Sequence, residues 1–543
     1  MSDSKRICLD SDPVNELEID EDDDTPLGDF YFATGKNKNI IKWRKSPSQP
    51  ANVRTRASNI VVRLPGTKGA AQTARSERDC FDLFFDDKVV QVIVSSTNIY
   101  IASLRQKFSR ERDAKDTDAT EVRALFGVLL LTGCLGANRK NSIGIWDNSR
   151  GSGIESCYLS MSQRRFHFLL RCLRFDDIRD RDQRKEIDRL AAIRELFELV
   201  INNFQRYYTP SEYTIVDEQL VKFRGRCPFK MYIPSKPGKY GIKIFSLVCA
   251  KTMYTVNLEI YPGKQPEGPY KLSPSADDVT IRICEPIVGT NRNVTTDNWF
   301  TSIQLAETFF CEKKLTLVGT IRANRLGVPD DFKPNKNREV HSSIFAHHKE
   351  KTIVSYCTKK NKVVVLVSTM HHDQNIDPDS GDLHKPEIVS FYNKTKVGVD
   401  SVDQMCAKYD CSRNTKRWPM VIFFDLINIA GINASRVFSF NNNQIVRRRI
   451  FIEKLAWDLI EPQIRKRLDS PSLPNDLKVR ARKLLGIEDP RRPLPAPRDN
   501  KVGRCYMCAR ARDRSTRKCC DLCGHKVCPE HSSIVCHSCI KQQ

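Results

Sequence analysis

Residues Tyr213-Thr214-Ile215-Val216-Asp217-Glu218-Gln219 form a short β-rich apolar run that delivers a carboxylate to its own end. The same pattern recurs at Asn293-Val294-Thr295-Thr296-Asp297-Asn298-Trp299. A third acidic site follows at Gly398-Val399-Asp400-Ser401-Val402-Asp403. Hard Mg²⁺ ions take oxygen ligands, and two of them about 3.5–4 Å apart can clamp the attacking and leaving oxygens of a phosphodiester. Three carboxylates on separate elements of one predicted α/β layer therefore indicate a two-metal phosphoryl-transfer site.

Each aspartate taken alone has another interpretation, because an Asp after a strand commonly caps the next turn. The conjunction of Asp217, Asp297 and Asp400 favours a shared site. Asp403 lies three residues after Asp400, so a helix would place both carboxylates on one face. Asp403 is then either a fourth ligand or a partner of Asp400. Glu218 is excluded from the site, because neighbouring side chains on a strand point to opposite faces.

Charge and cysteine content limit the class of protein. The chain has 543 residues and a formal net charge of +23, with 89 Lys and Arg against 66 Asp and Glu. This balance favours a polyanionic partner, of which DNA or RNA is the natural phosphodiester. No secretory signal or membrane span is recognised, and the most apolar run, 124–136, is short enough to predict a buried helix. The 20 cysteines then predict reduced thiols or metal ligands in an intracellular protein. The basic charge points to the nucleus.

The fold class expected is multidomain α/β, because strands come first after residue 213 and then alternate with helices. That order is typical of an RNase H-like catalytic core, here with an inserted β-containing subdomain, a flanking helical domain and a C-terminal zinc domain. The strand signals of the insertion are 352–357 and 362–369. The expected boundaries are a disordered tail (1–75), a helical domain (76–212 and 410–488), the core (213–322 and 387–409), the insertion (323–386), a Pro-rich linker (489–503) and the zinc domain (504–540).

The C-terminal segment carries eight soft ligands in four pairs, each pair spaced by two residues. They are Cys505 and Cys508, Cys520 and Cys523, Cys528 and His531, and Cys536 and Cys539. This spacing is typical of tetrahedral Zn²⁺, and eight ligands make two closed structural sites. The preferred pairing is cross-braced, with the first and third pairs on one ion and the second and fourth on the other. A sequential pairing remains open. Cys519 does not fit the spacing.

Taken together, these motifs resemble those of the piggyBac family of DNA transposases. The resemblance is carried by 216–219 and 223–234, Lys239-Tyr240-Gly241-Ile242-Lys243, 296–302, 398–405 and Arg417-Trp418-Pro419-Met420, with the C-terminal ligand ladder. It covers roughly residues 75 to 540.

The resemblance implies that Asp217, Asp297 and Asp400 form the catalytic triad holding two Mg²⁺, with Mn²⁺ as a substitute, and that Asp403 is an additional acidic residue beside it. It implies a cut-and-paste reaction, in which transposon ends are nicked, the freed 3′-OH forms a hairpin, the hairpin opens, and the ends join TTAA targets. Trp418 matches a family tryptophan near the active site, where it could stack on an unpaired base; a core tryptophan beside Pro419 is the other interpretation. The resemblance also implies that the helical segments 76–212 and 410–488 form the dimerisation and DNA-binding domain. The zinc domain would read the terminal inverted repeats, and holding two ends favours a homodimer.

Three other functions are weighed against this one. A domesticated, transposase-derived protein would bind DNA without cutting it, although all three aspartates are intact here. A RING-type module usually places its histidine near the middle of the ligand ladder, whereas His531 is the sixth ligand here. A nuclease of the RNase H class that is not a transposase would not need the zinc domain.

Overall fold

The computed structural model describes residues 27–35, 38–47, 56–149, 151–234, 236, 238–487, 501–512, 514–520 and 524–533. The chain forms two compact units, residues 1–462 and 463–543, which are described separately.

The strands of the first unit are mostly short, with two of ten residues at its centre. They are β1 (Phe30–Thr34), β2 (Ile40–Arg44), β3 (Gly66–Thr67), β4 (Tyr208–Thr209), β5 (Tyr213–Lys222), β6 (Lys230–Tyr232), β7 (Tyr240–Cys249), β8 (Thr255–Ile260), β9 (Asn293–Thr296), β10 (Thr316–Ile321), β11 (Ser343–His348), β12 (Lys351–Lys359) and β13 (Lys362–Ser368).

The helices of this unit flank the sheet and build the segments before and after it. They are α1 (Glu77–Asp82), α2 (Asp87–Leu104), α3 (Ala119–Cys134), α4 (Ser142–Trp146), α5 (Glu155–Ser160), α6 (Gln163–Cys172), α7 (Arg181–Lys185), α8 (Arg194–Tyr207), α9 (Ala276–Cys284), α10 (Ile303–Cys311), α11 (Glu387–Thr395), α12 (Gly398–Lys408), α13 (Trp418–Asn442) and the start of α14 (Arg448–Leu468).

One eleven-stranded mixed sheet dominates the unit, in the order β1-β2-β11-β12-β13-β10-β9-β5-β7-β6, with β8 also on β7. β9 runs parallel to both β5 and β10, and the other pairs are antiparallel. Parallel neighbours need a crossover, and here α9 and α10 supply it. β5, β7 and β8 form a meander, so the order across these five strands is β8-β7-β5-β9-β10. This places the end of β9 beside the middle of β5, where the last pair is Val216↔Thr296.

The helical segments form because their apolar faces are buried and their first turns are capped. Ser76, Asp86, Asp118 and Ser162 each accept a backbone N–H at a helix start, which satisfies donors that have no partner within the helix. α3 is buried over most of its length, as the run 124–136 predicts. α13 is long and apolar enough to span a membrane, but 89% of its most apolar window is buried inside the fold. It is therefore a core helix of this unit.

Part of the expected N-terminal tail is folded, so that prediction was wrong for residues 27–35, 38–47 and 56–75. β1 and β2 form a hairpin, and Arg44 of β2 pairs with His347 of β11 at the edge of the main sheet. Trp43 is fully buried and its indole N–H donates to the Gly327 carbonyl, 3.0 Å away. Burial of this indole outweighs the polar composition of the surrounding segment. Residues 1–26, 36–37 and 48–55 lie outside the described residues.

The expected insertion subdomain is not a separate body. Its strands β12 and β13 match the predicted runs, but β13 pairs with β10 over Val318↔Ser368 to Ile321↔Val365 and so extends the main sheet. The physical reason is that the edge of β10 has unpaired backbone groups, which another strand satisfies. The sheet consequently continues from the core through β13, β12 and β11 to the N-terminal hairpin.

The second unit contains the end of α14, which has Pro462 inside it at the unit boundary, then α15 (Asn475–Leu484), β14 (Gly503–Arg504) and β15 (Ser515–Thr516). β14 and β15 pair antiparallel. Most of the expected Pro-rich linker, residues 489–500, lies outside the described residues.

Candidate active site

Asp217 and Asp297 lie side by side at the carboxyl end of β9. β5 and β9 pair in parallel up to Val216↔Thr296, so the next residue on each strand is the predicted aspartate. The pairing is reinforced by Thr214, whose hydroxyl donates to the Asn293 carbonyl at 2.8 Å. The structure therefore brings together two of the three predicted carboxylates.

The Asp297 carboxylate is oriented by the loop that follows it. Its Oδ1 accepts the backbone N–H of Trp299 at 2.9 Å and that of Phe300 at 3.4 Å. The Thr301 hydroxyl donates to the Asp297 carbonyl at 2.7 Å. This turn leaves Oδ2 of Asp297 free of these backbone bonds and fixes the carboxyl group at the strand end.

Glu218 lies in the same acidic group, although strand alternation predicted that it points away from Asp217. Ligand oxygens of Asp217, Glu218 and Asp297 all lie within 4.8 Å of one another. Glu218 pairs with Phe245 across β5 and β7, and the Trp299 ring stacks on Phe245 with centroids 5.4 Å apart. Directly opposite residues of an antiparallel pair share a face. The loop after β9 thus folds over the face that carries Glu218, and this brings Asp297 to it. The alternation rule describes one strand and does not include this loop.

Asp400 is delivered by the first turn of α12. Gly398 makes this possible, because a Cβ there would lie 2.6 Å from Cγ2 of Ile215 on β5. The Asp400 side chain is 62% exposed, and its Oδ1 is 3.5 Å from Nζ of Lys236. Asp400 does not belong to the group of carboxylates whose oxygens lie within 4.8 Å of one another. It contacts Lys236, which in turn donates to the Glu218 carbonyl.

Asp403 lies one turn further along α12 and is largely buried. Burial raises its pKa to about 7; Lys236 lowers it and Asp400 raises it further. Burial likewise raises the pKa of Asp217 to about 7, with Glu218 and Asp297 adding to the increase. Burial and like charge both disfavour the ionised carboxylate. The centre is therefore arranged for a cation to bind.

The donor set fits a hard divalent cation. The clustered atoms of Asp217, Glu218 and Asp297 are all carboxylate oxygens, which Mg²⁺ and Mn²⁺ prefer. These residues would hold the ion.

Lys236 is the residue of this centre that sequence reasoning missed. It lies in the turn between β6 and β7, and its ammonium donates to the Glu218 carbonyl at 3.0 Å. No motif in Pro234-Ser235-Lys236-Pro237-Gly238 predicts this position, because only the path of the turn brings it over β5.

Trp418 begins α13 and lines a cavity of about 470 Å³. It is partly buried, and the Phe229 ring contacts it edge-on with centroids 5.0 Å apart. The charged residues lining the cavity are all basic: Arg174, Arg181, Lys185, Arg189, Lys416 and Arg417. Trp418 is therefore neither fully in the core nor on an open surface, and its surroundings suit an anionic ligand.

In the second unit, the structure brings Cys505, Cys508, Cys528 and His531 within 4.8 Å of one another. The Cys508 and Cys528 sulfurs are 3.8 Å apart, and His531 Nδ1 is 3.5 Å from Cys508 Sγ and 3.3 Å from Cys528 Sγ. Ligand sulfurs around tetrahedral Zn²⁺ at about 2.3 Å are separated by about 3.8 Å. The Cys528 N–H donates to Cys505 Sγ at 3.2 Å and lowers the pKa of that thiol to about 6. The grouping is that of the cross-braced pairing and not the sequential one.

The other expected zinc set, Cys520, Cys523, Cys536 and Cys539, is described only at Cys520. The remaining three cysteines lie outside the described residues.

Comparisons with known proteins identify the class to which this fold and this centre belong. The family model described as Transposase IS4 matches residues 76–435, which include all four predicted aspartates. The class is therefore that of the transposases. A solved piggyBac transposase synaptic complex with hairpin DNA is 34% identical with a TM-score of 0.77, over 88% of this chain and 100% of that one.

Two curated human proteins are also similar. PiggyBac transposable element-derived protein 3 is 21% identical over 65% of this chain, and PiggyBac transposable element-derived protein 2 is 24% identical over 62%. The chain spans only 60% and 57% of the lengths of these two relatives. The chain belongs to the piggyBac family of transposases.

Proposed function

We propose that this protein is a cut-and-paste DNA transposase that cleaves transposon ends through hairpin intermediates and joins the 3′-OH ends to TTAA targets. The observation that carries the proposal is the parallel pairing of β5 and β9, which sets Asp217 and Asp297 together, with α12 bringing Asp400 toward them. The strand order β8-β7-β5-β9-β10 supports an RNase H-like core for this chemistry.

The acidic residues have separable roles. Asp217 must lose its proton to ligate a cation, since its pKa is raised to about 7. Asp297 is held ready by the backbone N–H groups of Trp299 and Phe300. When bound, a pair of Mg²⁺ ions supplies charge stabilisation and an activated oxygen nucleophile at the scissile phosphate. Water attack and 3′-OH attack are both in-line displacements at phosphorus, so one centre can serve every step when the strands are repositioned.

Double-stranded DNA is the proposed partner. The net charge of +23 favours it, and the basic cavity beside Trp418 offers cations for phosphates and a ring on which an unpaired base could stack. The terminal inverted repeats would be read by the cysteine-rich unit, folded around two structural Zn²⁺ ions. Two ends must be held together, which favours a homodimer, and the DNA substrate places the protein in the nucleus.

The second candidate is a domesticated DNA-binding protein without cleavage activity. Both human relatives are named as transposable element-derived proteins, and this favours retaining the second candidate. Both candidates predict DNA binding, and only the first predicts strand cleavage.

An excision assay on a donor plasmid with candidate transposon ends separates them. We expect Asp297→Asn to lower excision about a hundredfold or more, the scale seen when one group that stabilises transition-state charge is removed, while end binding is retained. The matched control is Asp379→Asn at an exposed position, which should excise normally. Equal excision by Asp297→Asn and wild type would remove Asp297 from the site. End binding by the wild type without excision would favour the domesticated candidate.

A further inference from the structure

Lys236 places a positive charge inside the acidic centre. Its Nζ is 3.0 Å from the Glu218 carbonyl oxygen and 3.5 Å from Oδ1 of Asp400, and its side chain is only 19% exposed. Burial alone would lower the pKa of this ammonium, but Asp217, Asp400, Glu218 and Asp403 together raise it above its ordinary value. One ammonium thus interacts with carboxylates of both β5 and α12.

The backbone fixes this position. The Lys236 N–H donates to the Ile233 carbonyl at 3.2 Å, and the Lys236 carbonyl accepts the Lys239 N–H at 3.0 Å. These two hydrogen bonds anchor the Lys236 backbone and so position its side chain.

The charges around Lys236 explain why a cation is needed there. Like-charged carboxylates at short distance oppose one another's ionisation. Lys243 lies 3.7 Å from Glu218, and Lys222, itself the last residue of β5, acts electrostatically on Asp403 of α12. Among the described residues, Lys236 contacts both the Glu218 carbonyl of β5 and the Asp400 carboxylate of α12.

We propose that Lys236 is an internal counter-ion of the acidic centre, which holds the α12 carboxylates against β5 and competes with the first divalent cation for them. The inference rests on the proposed function, because it assumes that this centre binds metal. A divalent ion entering between Asp217 and Asp400 would have to displace the ammonium from Asp400. Lys236 is thus a positioning residue, and it acts through the ligands.

Competition makes a prediction opposite to that of a purely structural role. If Lys236 only supported the fold, neutralising it would loosen the carboxylates and weaken metal binding. If it competes with the metal, Lys236→Met should bind the first Mn²⁺ more tightly, by roughly fivefold or more, the lower end of usual couplings between sites. Heating should show a larger Mn²⁺-dependent increase in Tm for the variant, since a ligand stabilises the folded state in proportion to its affinity.

The experiment titrates Mn²⁺ into the full chain and follows free Mn²⁺ by electron paramagnetic resonance, with Tm measured in parallel. Lys236→Gln serves if the Met variant does not fold, and Lys236→Arg, which keeps the charge, should stay near wild-type affinity. Lys251→Met is the matched control, because Lys251 forms an ion pair with Glu212, at 2.5 Å, and not with the acidic centre.

Unchanged or weaker Mn²⁺ binding by both neutral variants would overturn the inference. The proposed function is contradicted by different results: a wild-type protein that binds no Mn²⁺, or an Asp297→Asn variant that binds Mn²⁺ as well as the wild type does. Tighter binding by Lys236→Met, lost again in a double variant with Asp297→Asn, would support both.

Discussion

At the scale of single residues, Asp217 and Asp403 are carboxyl groups whose surroundings oppose their charge. Burial raises the pKa of each to about 7. Such shifts concentrate at functional sites, where binding of a partner cation offsets the penalty. The proton that these groups hold in the absence of metal has a measurable effect on stability.

Asp403→Asn should stabilise the metal-free protein more at pH 8 than at pH 5. Between the unfolded pKa of about 3.9 and the folded value of about 7, folded Asp403 keeps a proton that the unfolded chain has released. The free energy of unfolding therefore falls as pH rises through this window. Asn removes that fall, a gain of about 3 kcal/mol between pH 5 and pH 8, since about two pKa units separate pH 5 from the folded pKa. Urea unfolding with EDTA at several pH values measures it.

The control for this pH profile is Asp182→Asn. Asp182 is exposed, and a hydrogen bond from Lys185 lowers its pKa, so its replacement should change stability slightly and in the opposite sense. A difference between wild type and Asp403→Asn that does not vary from pH 5 to pH 8 would show that Asp403 ionises normally.

At the scale of elements, the centre depends on how closely α12 approaches β5. Gly398 lies against Ile215, and the missing side chain there sets the distance between helix and strand. Packing between elements also accounts for the folded N-terminal hairpin, because Trp43 on β2 is buried at the edge of the sheet.

Gly398→Ala should destabilise the protein by about 1–3 kcal/mol, the usual penalty for overpacking, and should weaken Mn²⁺ binding. The reason is that the new Cβ would lie 2.6 Å from Ile215 Cγ2 and would push Asp400 away from β5. Gly431→Ala in α13 is the matched control, because its Cβ would meet only Leu130, at 3.9 Å. That control should be neutral or stabilising by about 0.5–1 kcal/mol. Equal effects of the two substitutions would mean that the close approach of α12 does not position Asp400.

At the scale of the whole molecule, the two units of the chain differ in how they are stabilised. The first buries a large mixed sheet and its helices, whereas the described part of the second around residues 501–533 has little apolar chain to bury. Small domains of this kind usually depend on metal for stability. The cluster of Cys505, Cys508, Cys528 and His531 fits that role.

Cys528→Ser in the full chain should lose at least one of two bound Zn²⁺ ions and weaken binding to transposon ends, while the first unit stays folded. Serine is a poor zinc ligand compared with a thiolate. Zinc content by atomic absorption and end binding by mobility shift measure the two effects. Cys519→Ser is the control, because Cys519 lies outside the cluster, and it should keep its zinc. Full zinc content in Cys528→Ser would refute the ligand assignment.

Local patterns were sufficient to find two neighbouring carboxylates and one cysteine–histidine cluster. Asp217 and Asp297 each follow an apolar run, and the parallel pairing of β5 with β9 brings them together, although Asp217 lies in the middle of β5 and not at a strand end as predicted. The two-residue spacing of the cysteine pairs likewise fixes ligand geometry within a few residues. The buried helix over 124–136 and the strands 352–357 and 362–369 were predictable on the same basis.

Contacts between segments distant in sequence decided the rest. Glu218 joined the centre because the loop after β9 folds over Phe245, and Lys236 joined it because a turn crosses β5. The hairpin at 30–44 and the strands after residue 343 joined the main sheet because open strand edges accept backbone hydrogen bonds from any suitably placed segment. Spacing and periodicity describe neighbours along the chain, whereas these contacts depend on the path of the whole backbone.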